Sequence, residues 1–109
     1  MTSEVLGVYT TLPDEETARR VARTIVEESL AACANRFPMV SIYRWQGEIV
    51  EEAEWGLVFK TRRALYARLE KRLREIHPYQ IPAIVAYAIV SGWPAYLEWI
   101  AAETQPPEA

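Results

Sequence analysis

From Ser41 to Thr61 the chain alternates in character with a period of two, as a pleated strand requires. Tyr43 and Trp45 alternate with Ile42 and Arg44. After Gln46-Gly47, Trp55, Leu57 and Phe59 share one face while Glu54, Gly56, Val58 and Lys60 share the other. A glycine at the reversal suits a tight turn that needs positive φ. The pattern predicts one long hairpin, with limbs Arg36 to Trp45 and Glu48 to Thr61 and with Pro38 marking an edge or bulge. Neither face is cleanly polar. Helices are expected on one side, and a second copy of the chain on the other side or along the edge.

Around that hairpin the periodicity switches between two and 3.6. Val5 to Thr11 reads as a buried strand. Pro13 stops it, Asp14 is placed to cap a helix, and Glu15 and Glu16 suit the first turn. Ala18, Val21, Ala22, Ile25 and Ser29 form one stripe of that helix, and Asn35 is expected in the left-handed position that closes it. A second helix is expected from Arg63 to Ile76, on the stripe Leu65, Leu69, Leu73 and Ile76, ended by His77-Pro78. Ile84 to Val90 is apolar throughout and is expected to be a strand buried on both faces. Pro94 opens a last helix, Ala95 to Glu103, with apolar groups on most of its sides. The order β-α-β-β-α-β plus a C-terminal helix predicts an α+β, ferredoxin-like sandwich. A single domain over 1–103 with a flexible tail over 104–109 is expected.

Bulk properties narrow the function. The chain has 109 residues, half of them hydrophobic, and a formal charge of −3. That suits one globular domain and disfavours generic nucleic-acid or anionic-membrane binding. No segment approaches the roughly 20 apolar residues that span a bilayer. A single cysteine excludes an intrachain disulfide framework and fits a reducing, cytoplasmic setting.

Candidate chemistry is sparse. His77, the only histidine, either packs at a helix end beside Tyr79 or contacts a metal or anion in a cleft. Cys33 is either a small packed hydrophobe or a soft metal ligand. Without CxxC or a helical histidine pair, a tight metal site must join residues distant in sequence or on several chains. Glu54 and Lys60 lie on one strand face but roughly 20 Å apart, so each needs a partner from elsewhere or is a solvated strand-end charge. The basic set Arg62, Arg63, Arg68, Lys71, Arg72 and Arg74 reads as an outer helix face or a phosphate contact. No P-loop, nucleophile elbow or HExxH motif is present, so no enzyme activity and no organic cofactor are expected.

Six segments together resemble a known family. They are Val8-Tyr9-Thr10-Thr11-Leu12-Pro13-Asp14, Leu30 to Asn35, Ser41 to Ile49, Glu54 with Lys60-Thr61-Arg62, His77 to Pro82, and Tyr96 to Ile100. In this order they resemble the CutA-type divalent-cation-tolerance proteins from Val5 to about Ile100. The resemblance implies a compact homotrimer, similar in architecture to the PII signalling proteins, and a link to divalent metals, notably copper. It carries the family's cleft onto Cys33, Tyr43, Trp45, Glu54, Lys60, His77 and Tyr79, with Cys33 and His77 as the copper contacts. Ala83 departs from the pattern: it stands where the family usually has a glutamate, which removes a carboxylate from the cleft. The expectation is a cytoplasmic trimer binding copper(II) or another divalent metal. The alternatives are a PII-like small-molecule sensor, with Lys60 and arginines holding an anion, and a stable trimeric scaffold.

Overall fold

In the computed structural model, which describes residues 4–105, the chain forms β1 (Val5–Leu12), α1 (Glu15–Glu27), β2 (Cys33–Trp45) and β3 (Glu48–Arg62). A 3₁₀ turn (Arg63–Leu65), α2 (Tyr66–Ile76), β4 (Ile84–Ala88) and α3 (Pro94–Ala102) follow. The four strands make one antiparallel sheet in the order β2-β3-β1-β4. This is the ferredoxin-like arrangement.

Alternation along β1 and β3 decides what is covered. Leu6, Val8 and Leu12 of β1 share a face with Leu57 and Phe59 of β3, and that face packs on Ala18, Val21 and Ile25 of α1 and on Leu69 and Leu73 of α2. Each such aliphatic or aromatic side chain contributes about 1.5–3 kcal/mol when fully buried. The helices are set locally. Asp14 Oδ1 accepts the Thr17 N–H at 2.8 Å, which satisfies an orphan donor and holds the Asp14 carboxyl below its usual pKa. Arg72 binds the Glu28 carboxylate through Nε and Nη2, each at 2.9 Å, joining the end of α1 to α2.

Gln46 and Gly47 reverse the hairpin with φ of 50° and 83°, the two positive values of a type I′ turn. Among the described residues, the other positive φ outside glycine, 58°, belongs to Ser29 and not to Asn35. Ser29 N–H donates to Val26 O and Leu30 N–H to Ile25 O, the paired bonds of a Schellman motif, so α1 ends six residues before the expected position. Leu30 is then buried, and Asn35 is already in β2 opposite Val58.

One further expectation is corrected. β4 is not buried on both faces: it pairs only with β1 at the sheet edge, and Val85 and Tyr87 are exposed within one chain. Its continuous apolar run predicted cover that a single protomer lacks. Thr104 accepts from Arg62 Nε at 2.9 Å and donates to Ile100 O at 3.0 Å, and Gln105 N–H donates to Ser29 O at 2.8 Å. Residues 106–109 of the expected tail lie outside the described residues. Helix α3 contacts β3 and buries Ile100, while Tyr96 and Trp99 stack on each other and stay part-exposed.

Candidate functional site

A groove of about 480 Å³ lies at the hairpin end of the sheet face that α1 and α2 leave open. β1 contributes Tyr9 and Thr11, β2 contributes Ser41, Tyr43 and Trp45, β3 contributes Glu54, and the segment after α2 adds Tyr79, Gln80, Ile81 and Ala83. The period of two brings these groups together. Glu54 pairs with Met39 across the hairpin, so Met39, Ser41, Tyr43 and Trp45 project to its side of the sheet.

Glu54 is 6% exposed. Tyr79 Oη donates to Glu54 Oε2 at 2.6 Å. Burial and then this bond push the Tyr79 phenol well above its ordinary pKa. Tyr43 donates to Glu52, which pushes its pKa up to about 12. Tyr9 is also raised, chiefly by burial and then by the Glu54 charge. These phenols are therefore hydrogen-bond donors at neutral pH, not anions. Among the described residues Glu54 has no ion pair, and no lysine or arginine lines the groove.

His77 supports the groove from behind. Its Nε2 lies 2.9 Å from the Thr11 carbonyl oxygen and 3.1 Å from Thr10 Oγ1. A carbonyl only accepts, so Nε2 carries the hydrogen. Nδ1 accepts the Tyr79 N–H at 3.2 Å. Burial lowers the imidazole pKa against the opposing pull of the Thr11 bond and Glu54, keeping the ring neutral. Both nitrogens are thus engaged within the protomer, and His77 positions Tyr79, whose ring centroid is 5.0 Å away.

The remaining expected residues are elsewhere. Cys33 and Lys60 face each other across the hairpin, six residues from the Met39–Glu54 pair and so roughly 20 Å along the strands. Cys33 Sγ is 3.7 Å from Tyr96 Oη and lines a shallower groove of about 430 Å³ with Arg19, Arg23 and Arg36. His77 contacts β1 at Thr10 and Thr11, two strands over from Cys33 and about 10 Å along, so one protomer does not bring the two together. No group of three or more histidine, cysteine, aspartate or glutamate side chains able to hold a metal occurs among the described residues. Among the described residues no helix is long and apolar enough to cross a membrane. The structure thus brings Tyr43, Trp45, Glu54 and Tyr79 into one groove, leaves Cys33, Lys60 and His77 outside its lining, and adds Tyr9, which the sequence pattern had not singled out. Alternation in β1 was the available signal for Tyr9, since it sits out of phase with core residues Leu6 and Val8.

The sequence profile described as CutA1 divalent ion tolerance protein matches residues 6–103. This chain belongs to the CutA family. It is 47% identical over 98 residues to the divalent-cation tolerance protein CutA of Thermus thermophilus, covering 89% of this chain and 95% of that one. The Pyrococcus horikoshii CutA is 42% identical over 98 residues, covering 90% and 96%. Among solved structures, the Thermus thermophilus Cut A1 protein superposes with a TM-score of 0.89 at 45% identity, covering 93% of this chain and 99% of that chain. CutA1 from a psychrotrophic Shewanella, described as a stable protein, gives 0.93 at 33%, covering 97% and 100%. The chain spans 57% of the length of the human Protein CutA, at 36% identity.

Proposed function

We propose that this chain acts in divalent-cation tolerance as a cytoplasmic homotrimer, binding copper(II) or another divalent metal at sites that more than one copy completes. The observation that carries this reading is the uncovered apolar surface. Val40, Ile42 and Ile49 on the hairpin and Val85 and Tyr87 on β4 are exposed, and they follow the two edge regions of the sheet. Apolar edge strands of this kind pair with another chain. Three copies is the number that the family resemblance implies. The same assembly supplies metal donors that one protomer lacks. Cys33 is its soft donor, part-exposed and neighboured by Tyr96 and Lys60, with other ligands coming from a second copy.

Light scattering should return three times the chain mass. Calorimetric titration with copper(II) in a non-chelating buffer should show saturable binding at a fixed number of sites per trimer, lost in Cys33→Ala and retained in His77→Gln. A monomeric mass, or copper binding indifferent to Cys33→Ala, would refute the proposal.

A further inference from the structure

We propose that the groove around Glu54 binds a methylated alkylammonium ion, its cationic head against the aromatic walls and its charge balanced by the Glu54 carboxylate. Glutamate is almost never this buried without a paired cation, because removing a carboxylate from water is costly. Glu54 is so buried and has no ion pair among the described residues. A carboxylate offers about four lone-pair directions, and the Tyr79 hydroxyl takes one of them. The charge is compensated by hydrogen bonding in part only. A cation entering the groove completes it.

The walls say which kind of cation. Tyr9, Tyr43, Trp45 and Tyr79 present four aromatic rings, and Ile42 and Ile81 add apolar surface. Aromatic faces attract cations, most strongly where water is excluded, and they suit weakly hydrated methylated ammonium heads. A divalent metal needs several hard or soft donors, and the groove holds one carboxylate and no histidine or cysteine. The charge pattern of the groove favours a cation over an anion. No basic side chain lines the groove, and Glu52, held by the Tyr43 hydroxyl at its rim, adds a second negative charge. About 480 Å³ matches the size of small-molecule sites. This inference is independent of the copper reading, which concerns Cys33 roughly 20 Å away along the hairpin.

The test is calorimetric titration of the full-length protein, in its own assembly state, with choline and with its uncharged isostere 3,3-dimethylbutan-1-ol. Saturable choline binding is expected, with the neutral isostere at least about tenfold weaker, since only the charge differs. Glu54→Gln should weaken choline by a similar factor and abolish its preference over the isostere. Trp45→Ala, on the part-exposed rim, is the second variant should Glu54→Gln not fold, and it should also weaken choline. Cys33→Ala should leave choline binding unchanged. Equal binding of the isostere, choline affinity unaltered by both groove variants, or no saturable choline binding would each overturn the proposal. The last would mean that another copy already neutralises Glu54.

Discussion

The two faces of the sheet are built from the same strands and have opposite fates. On the helical face, Val8, Leu57 and Phe59 are wholly buried against Val21, Ile25, Leu69 and Leu73. On the open face, Tyr87 is 63% exposed, Val85, Tyr43 and Trp45 are also exposed, and the buried Glu54 carboxylate has no ion pair among the described residues. One face is satisfied by the chain's own helices. The other carries exposed apolar side chains beside a buried carboxylate, the kind of surface that marks an interaction site.

The sharpest way to break this comparison is to damage each face in turn. Phe59→Ala should cost about 3–5 kcal/mol in chemical denaturation at one protein concentration, because a full ring is lost from a site that cannot collapse. Tyr87→Ala should act differently. The wild-type denaturation midpoint should rise with protein concentration, and that dependence should shrink in the variant while far-UV dichroism stays the same. A midpoint independent of concentration in the wild type would remove the need for an external partner on the open face.

A smaller effect tests how tightly the open face is itself packed. A Cβ on Gly56 would lie 2.5 Å from the Phe37 ring, its cross-strand partner. Gly56→Ala should therefore destabilise by about 1–3 kcal/mol, through forced displacement of the ring. Combining it with Phe37→Ala should recover part of that loss, a coupling that a double-mutant cycle measures.

The smallest effect joins the two faces through His77, which packs on β1 while holding Tyr79 over the groove. Burial keeps its pKa below the ordinary 6.5. The unfolded chain therefore takes up the proton first as pH falls. The His77 contribution is complete above pH 6.5 and is lost progressively below it, down to the folded pKa. Denaturation midpoints at pH 7.5 and pH 5.5, compared between wild type and His77→Gln, should show a smaller acid loss in the variant. Equal losses would remove His77 as the source.

Much of the fold was legible without coordinates because it rests on neighbours in sequence. The Asp14 cap, the Gln46-Gly47 turn, the stripes of α1 and α2 and the alternation of the hairpin each need only a few consecutive residues. They prescribe the ferredoxin-like order, and Tyr43, Trp45 and Glu54 fall on one strand face for the same reason. The end of α1 was misread because Ala31, Ala32 and Ala34 have good helix propensity, whereas the left-handed Ser29 and the burial of Leu30 end the helix by tertiary packing.

What only the tertiary structure decided is which of these groups meet. Register across the sheet holds Cys33 opposite Lys60 and away from Glu54, and the return of the chain after α2 sets His77 on Thr10 and Thr11, where both its nitrogens are consumed. No local pattern encodes those distances. Periodicity assigns a side chain to a face, but strand pairing and chain return determine its neighbours there, and hydrogen-bond partners and buried charges are properties of neighbours.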